Sequence, residues 1–376
     1  MISRVLGCAL AVLALTQGAS GRSLDSAGNE DEYRTILNSR MVTLLAGDAS
    51  GASVRMADNI ATAISGVEDV QLRIMLGDNV ENVRDVLYMG NVDMAIINTD
   101  ALAAFEDGPF FGNVRKRLRY VARLHNEEFH ILGGPSIASV KDLDGKVVAF
   151  HNEASRSSGG LLLAALGVDP RESIVLDMFD AADRIKAGTV DGFIRLTGKP
   201  DRHFSRVKEI NPEIRFVPVS FDRTLLEKGY LPTDLSSADY PDMFGKVGYV
   251  DTVALGTVLA VYNWPENTGR YKRLEKFVNA FFSNFEKLRR SKGHHPKWDG
   301  INIAGEMPGW TRFKPAQEWL DRARNTRRTA VIEGDLRKEF DRYLAEEHGG
   351  VALEDAKAQE KIFEEFLRWQ ARSRTE

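Results

Sequence analysis

The chain has 376 residues, 43% of them apolar and 28% charged, with a formal charge of −4. That is enough chain for two ordinary domains, and its composition is neither disordered nor fibrous. The charge is mixed along the chain, so no basic stripe argues for nucleic acid and no polybasic block for a membrane surface.

The first 21 residues, "MISRVLGCALAVLALTQGASG", carry one cation, Arg4, no acid, and an apolar run from Val5 to Leu15. This is the pattern of a secretory signal, with Ala19 and Gly21 suited to a cut after Gly21. The run is too short to span roughly 30 Å of hydrocarbon, which takes ~20 apolar residues. Cys8 is the only cysteine; removing 1–21 therefore leaves no disulfide or thiol chemistry. It also removes one cation and no acid, so −4 becomes −5. The mature protein is then expected to be soluble and exported.

Residues 22–40 read as a loose N-terminal segment. After them, apolar runs alternate with amphipathic ones. "MVTLLAG" (41–47) reads as a buried strand, and 52–65 as a helix carrying Val54, Ala57, Ile60, Ala61 and Ile64 at helical spacing. A strand follows at 71–76, a helix at 81–90, a strand at 92–97 and a helix from 99. This β-α-β-α-β order calls for a parallel sheet with right-handed crossovers. Two strand-like runs, 118–124 and 128–134, are separated by "HNE". A short helix, turn and strand occupy 139–150. A second alternation follows: helix 155–166, strand 173–177, helix 179–187, strand 191–196, helix 201–209, strand 214–219. After an irregular Pro- and Tyr-containing stretch (229–244), a long strand at 250–263 carries the chain back toward the first unit. Helices then fill 265–290, 312–325, 333–347 and 352–373. In the last two, Phe340, Tyr343, Leu344, Phe363, Phe366, Leu367 and Trp369 form apolar stripes. These read as packing surfaces, with partner docking as the alternative.

Catalytic and nucleotide motifs are absent: there is no G-x-S-x-G, no H-E-x-x-H, no Walker loop and no G-x-G-x-x-G. Ser205 and Lys208 make an isolated S-x-x-K on a charged stretch. His294 and His295 are adjacent rather than at the i, i+3 or i+4 spacing that places helical ligands on one face. No metal or cofactor is therefore expected. His125 and His130 flank the crossover and read as structural.

Four loops share one form, a strand end, small polar residues and a helix start: "GDASGAS" (47–53), "INTDA" (97–101), "HNEASRSSGG" (151–160) and "RLTGKPD" (195–201). In parallel α/β sheets such loops collect at the carboxyl ends of the strands, where ligands bind. Helix-start amides hold anions. Ser50, Gly51 and Ala52 would supply them from the first unit, and Ser155, Ser157 and Ser158 from the second. Arg156 adds a candidate bidentate clamp and Lys199 a point charge. Arg55 and His151 would contribute if they face the cleft. Asp48, Asp100 and Glu153 would instead hold an amino group. Two similar α/β units, export and no catalytic motif describe a two-lobed protein that closes on a solute.

The chain from about 41 to 325 resembles the TAXI group of solute-binding subunits of tripartite (TRAP) transporters. The resemblance is carried in order by "AGDASGAS", "ENVRDVLYMGNVDMAIINTDAL", "LRYVARLHNEEFHIL", "VKDLDGKVVAFHNEASRSS", "AGTVDGFIRLTGKP", "YLPTDLSSADYP", "VDTVALGTVLAVYNWP" and "HPKWDGINIAGEMPGWTRFKPAQEWL". It implies an α/β fold: a two-lobed type II periplasmic binding protein, each lobe a mainly parallel sheet flanked by helices, with added C-terminal helices. Lobe 1 would comprise 41–125 and 251–325, lobe 2 would comprise 126–250, and a helical extension 326–376. The group's cleft loops map to Asp48–Ser53, Asn98–Asp100 with Thr99 between them, Asn152–Ser158 and Thr197–Lys199. Asn82 stands where the group often keeps an asparagine. Ser53, Val54 and Arg55 depart from the aromatic residues and proline common in the first loop, and Arg195 and Thr197 are also unusual. The implied function is capture of a small organic anion, a carboxylate or amino acid, for delivery to a TRAP permease, without catalysis. The alternatives are a periplasmic ligand sensor for a membrane receptor, or a small periplasmic enzyme.

Overall fold

A computed structural model describes residues 29–106, 113–347, 363 and 366. The expected signal peptide, residues 22–28 and most of the expected helix 352–373 lie outside the described residues. The remainder of the loose N-terminal segment is corrected: α1 (Glu30–Arg40) is a helix, capped by Asn29, whose side chain accepts from Glu32 N, with acids in its first turn and Arg40 in its last.

The elements that follow are β1 (Met41–Leu45), α2 (Ala52–Ile64), β2 (Gln71–Met75), α3 (Asn79–Tyr88), β3 (Met94–Asn98), α4 (Thr99–Glu106), α5 (Val114–Arg117) and β4 (Leu118–Gly133). Next come β5 (Val147–Phe150), α6 (Glu153–Ala165), β6 (Glu172–Val175), α7 (Met178–Lys186), β7 (Gly192–Thr197), α8 (His203–Ile210), β8 (Arg215–Phe216) and α9 (Arg223–Glu227). The chain continues through β9 (Leu231–Ser236), α10 (Pro241–Phe244), β10 (Tyr249–Tyr262), α11 (Gly269–Ser283), α12 (Phe285–Arg289) and α13 (Lys314–Glu347).

One strand path runs β2-β1-β3-β10-β4-β7-β5-β6. At one end β1 pairs parallel with β2 and β3; at the other β5 pairs parallel with β6 and β7. Between them β4 and β10 are antiparallel to each other and to their outer neighbours. The cores separate along these two strands. Leu118 and Tyr120 of β4, with Val258 and Ala260 of β10, join the core of β1–β3. Phe129 and Ile131 of β4, with Val253 and Leu255 of β10, join the core around β5 and α6. The molecule is thus a two-lobed α/β protein whose lobes share two long strands. The register shifts between Gly256 and Val258, where the strands pass from one lobe to the other.

Four expectations are corrected. The two runs 118–124 and 128–134 are one strand: "HNE" does not break it, because β10 pairs with Asn126 and Glu127 and, across the register shift, Thr257 Oγ1 donates to His125 O. The irregular stretch holds β9, which pairs with β10 from Ser236↔Tyr249 to Leu231↔Ala254. Pro232 lies on a strand off the main path whose described pairing is to β10 alone, so a missing N–H is tolerated on its other side. The helices expected at 312–325 and 333–347 are one, since 326–332 contains neither Gly nor Pro. The long helix expected over 265–290 is in turn broken at Asn284 into α11 and α12.

The chain divides after Ala316 into two compact units. In the second, Phe340 is buried and packs its ring against Phe363 and Phe366, with centroids 4.9 and 5.5 Å away. The side chains of Tyr343, Leu344, Leu367 and Trp369 lie outside the described residues.

Helix α6 reaches the sheet because Gly159 has no side chain. A Cβ there would stand 2.8 Å from Phe150 Cε1 and 3.2 Å from Ile194 Cγ2, whereas Gly160 beside it faces open space. Gly159→Val is expected to cost about 1–3 kcal/mol through overpacking. Gly160→Ala should gain about 0.5–1 kcal/mol from helix propensity. Urea midpoints of the two variants read the contrast, and equal shifts of one sign would contradict this packing.

Candidate functional site

The strand ends of both lobes meet where β4 crosses. A cavity of about 180 Å³ is lined from the first lobe by Gly47, Asp48, Gly51, Ser53, Gly77, Asp78, Asn82, Ile96 and Asn98. Glu127 of the crossing segment lines it, and so do Asn152, Ala154, Leu196 and Thr197 of the second lobe. Gly77 is required for its shape: a Cβ would fall 2.1 Å from Asn82 Oδ1.

Its polar lining is acceptor-rich. Glu127 Oε1 accepts from Ser53 Oγ at 2.8 Å and Oε2 from Asn98 Nδ2 at 3.0 Å. Burial pushes the Glu127 carboxyl up, but His125, Asn98 and Ser53 outweigh it and hold the group below its ordinary value. Asp48 behaves alike: burial raises it, while Arg195 and the bonds from Ser50 bring it below its ordinary value. Both are therefore ionised at neutral pH. Asn82, 1% exposed, spends its amide on Ala46 O and Ile96 O at 2.8 and 3.1 Å, so its buried Oδ1 has no partner.

A second cavity, about 290 Å³, adjoins the first at Thr197. Ala49, Ser50, Ala52, Arg55 and His295 line it from the first lobe, and Gly198, Pro200, Asp201, Arg202 and His203 from the second. The lobes touch directly between the two cavities. Asn152 Nδ2 donates to Asp48 Oδ2 at 3.3 Å, Arg195 Nη2 donates to Ser50 Oγ at 2.9 Å, and Ser50 Oγ donates to Asp48 Oδ1 at 2.5 Å. His151 Nε2 stands 3.4 Å from Ser50 Oγ.

Of the residues expected from sequence, Asp48, Gly51, Ser53, Asn82, Asn98, Asn152 and Thr197 line the first cavity, while Ser50, Arg55 and again Thr197 line the second. His151 adjoins both walls through Ser50. Thr99 and Asp100 are half-buried and line neither; Asp100 Oδ1 accepts from Ala101 N. The clamp expected of Arg156 is corrected. Helix α6 begins at Glu153, and i, i+3 geometry ties the exposed Arg156 to Glu153 at 2.6 Å. Ser157 is exposed, and Ser158 is buried within the second lobe. Ser155 is also structural: its N donates to the cap Asn152 at 2.8 Å and its Oγ accepts from Leu196 N at 3.3 Å. Lys199 is bound to Asp239 at 3.1 Å and Asp234 at 3.5 Å, away from both cavities.

Sequence reasoning missed Glu127, Asp78 and the role of Arg195. Arg195, 1% exposed, faces Asp201 at 3.0 Å, and Asp201 also receives His203 Nδ1 at 2.6 Å. The available signal was a lone arginine inside the apolar strand "GFIRLT" with an acid six residues on. Behind this pair, His130 Nε2 meets Tyr240 OH at 2.6 Å, and that hydroxyl accepts from Asp201 N at 3.0 Å. Glu128 is paired with Lys297 and accepts from Lys199 N at 2.8 Å; burial leaves its carboxyl raised.

Three buried imidazoles are held neutral. Burial lowers His130 to about 3 and His295 to about 3; burial and then Arg195 lower His151 to about 4. In the unfolded chain each titrates near ~6.5. Their depressed values contribute stability that is whole above about pH 6.5 and is lost as pH falls toward 4. Each adds a slope of up to ~1.4 kcal/mol per pH unit in that window. Asp48, Glu127 and Asp201 extend the loss at lower pH, whereas the raised Glu128 opposes it. Urea midpoints should fall between pH 6.5 and 5; a flat profile there would contradict the buried neutral imidazoles.

The NMT1-like family profile matches residues 44–304. No curated protein matches by sequence. Among solved structures, a protein of Bordetella bronchiseptica RB50 overlaps with 12% identity and a TM-score of 0.44, covering 72% of this chain and 85% of that one. A histidine kinase sensor domain similar to periplasmic binding proteins has 15% identity and a TM-score of 0.40, over 70% and 98% of the two chains. An amino acid ABC transporter substrate-binding protein of Streptococcus pneumoniae, bound to L-arginine, has 13% identity and a TM-score of 0.40, over 71% and 95%. These overlaps are loose, and the architecture rests on the strand order described above. The sequence match spans well over half of the chain, including both sets of cleft loops, and the chain belongs to the NMT1-like family.

Proposed function

We propose that the protein is an exported binding protein that captures a small, ammonium-bearing solute in the inner cavity between its lobes. It then hands that solute to a TRAP-type membrane permease. The observation that carries the solute class is Asn82 Oδ1, a buried acceptor without a partner, in a cavity whose charged residues, Asp48, Asp78 and Glu127, are all carboxylates. An ammonium group brings three donors and no acceptor, the complement of this lining. Of the two classes expected from sequence, an amino acid or amine therefore suits the cavity better than a plain dicarboxylate.

Capture rather than catalysis fits the two hydroxyl–imidazole–carboxylate clusters of the cavity walls, Ser53–His125–Glu127 and Ser50–His151–Asp48. A triad places its hydroxyl on one imidazole nitrogen and its acid on the other. In the first, Ser53 donates to Glu127, both lie near His125 Nε2 at 3.5 and 3.4 Å, and Thr257 Oγ1 is 3.2 Å from Nδ1. In the second, Ser50 donates to Asp48 and both lie on the same imidazole nitrogen, His151 Nε2, at 3.4 and 4.0 Å. In each, the hydroxyl proton already belongs to the carboxylate. Export rests on the N-terminal secretory pattern, and the permease on the collinear TRAP-type motifs. Among the described residues no helix is long and apolar enough to cross a membrane.

Calorimetric titration with L-amino acids, simple amines and dicarboxylates tests the reading. An ammonium-bearing compound should bind more tightly than any dicarboxylate. Glu127→Gln should weaken it roughly 10- to 100-fold, the loss of one charge-assisted bond of about 1.5–3 kcal/mol. Tighter binding of a dicarboxylate, or no effect of Glu127→Gln, would sink the assignment.

A further inference from the structure

We infer that the second cavity is a separate binding site for a small oxyanion, the carboxylate or phosphate group of a compound other than the inner solute. Its electrostatics are opposite to those of its neighbour. Arg55 and Arg202 line it from opposing lobes, and neither has an ion pair or side-chain hydrogen bond among the described residues. The one acid in the lining, Asp201, is already met by Arg195 at 3.0 Å and His203 at 2.6 Å, so it does not neutralise them. His295 is buried and uncharged, its Nδ1 accepting from Lys297 N at 3.2 Å. Two guanidiniums without counter-ions thus face one space of about 290 Å³.

Their placement suits an oxyanion. A guanidinium presents paired donors in a fixed fork that matches carboxylate and phosphate oxygens. Arg55 stands in the first turn of α2, whose N-cap is Gly51 and receives no side-chain bond, so the helix dipole adds positive potential on that side. The boundary with the inner cavity is tight. A Cβ on Gly198 would stand 2.8 Å from Ala52 Cβ and 3.2 Å from His125 Cδ2, so the backbone of one lobe lies directly on the other. An anion in the second cavity would engage one arginine from each lobe. It would favour closure whether or not the inner cavity is filled, since only contact with both lobes shifts that equilibrium.

The test is calorimetric titration of the protein with inorganic phosphate and, separately, with citrate, at fixed ionic strength. Saturable binding of at least one probe is expected, and which probe binds tells phosphate from carboxylate recognition. The double variant Arg55→Gln, Arg202→Gln should weaken that binding at least tenfold. Its melting temperature and its titration with an inner-cavity amine report whether it still folds and closes. No saturable binding of either probe, binding that sodium chloride abolishes at equal ionic strength, or undiminished binding in the double variant overturns the inference. Glu127→Gln, titrated with the same anions and amines, separates the two cavities. Loss of amine binding alone fails to touch the oxyanion site, and loss of both would make them one site.

Discussion

Two strands carry the whole arrangement. Both β4 and β10 pass through both lobes, and they remain paired across the passage except for the shift at Gly256–Val258. A chain that crosses between two apolar cores must carry its backbone through a region with no core of its own. Here β4 does so with His125, Asn126, Glu127 and Glu128. Three of these are 8% exposed or less, so each polar side chain needs a partner in place. Thr257 from β10 meets His125, Ser53 and Asn98 of the first lobe meet Glu127, and Lys297 with the backbone of Lys199 meets Glu128. The crossing thus explains why two carboxylates are buried at the bottom of the cleft, and why residues from both lobes converge on them.

The charge pattern of the cleft follows from how the cations are committed. Arg195 lies inside β7 and is held by Asp201, so it reaches the first lobe only through Ser50. Removing one partner of such a buried pair leaves the other charge stranded, at a cost of about 3–5 kcal/mol. The pair is therefore fixed, and it walls one cavity from the other. Lys199 and Lys297 are likewise bound to Asp239 and Glu128. Among the described residues, Arg55 and Arg202 have no counter-ion on one side of the wall, and Asn82 Oδ1 has no donor on the other. A cleft that looks electrically mixed in sequence is separated in space into an acceptor-rich half and a cationic half.

Much of the framework was legible in the sequence because it is periodic. Strands β1, β2, β3, β5 and β7 are apolar runs bounded by turn residues, and the helices between them repeat at helical spacing. The cleft loops could be found because strand ends followed by small polar residues recur four times. What was not legible depends on partners distant in the chain. The run "HNE" reads as a break because its polarity is local, while its pairing to β10 is more than a hundred residues away. Strand β9 is hidden by Pro232 and by an irregular composition, tolerated on a strand whose described pairing is to β10 alone. The misreading of Arg156 has a simpler cause. Its helix is expected from 155, but Asn152 caps it at 153, and the two extra helical residues set the guanidinium beside Glu153.

Two direct bonds span the cleft between the lobes, and they set the scale against which a solute acts. The bonds that span the cleft, Asn152 to Asp48 and Arg195 to Ser50, each involve one charged group and are worth about 1.5–3 kcal/mol apiece. A few of them hold closed and open forms within reach of each other. A solute then needs only modest differential contact to settle the balance. Asn82 Oδ1 would supply such contact, because it is a buried acceptor to which no group among the described residues donates. A ligand donor there would satisfy that acceptor, and a buried acceptor left unsatisfied costs ~1–3 kcal/mol. The orphaned acceptor disfavours closure without solute and favours it with the right one, so a single carbonyl oxygen links recognition to the motion of the lobes.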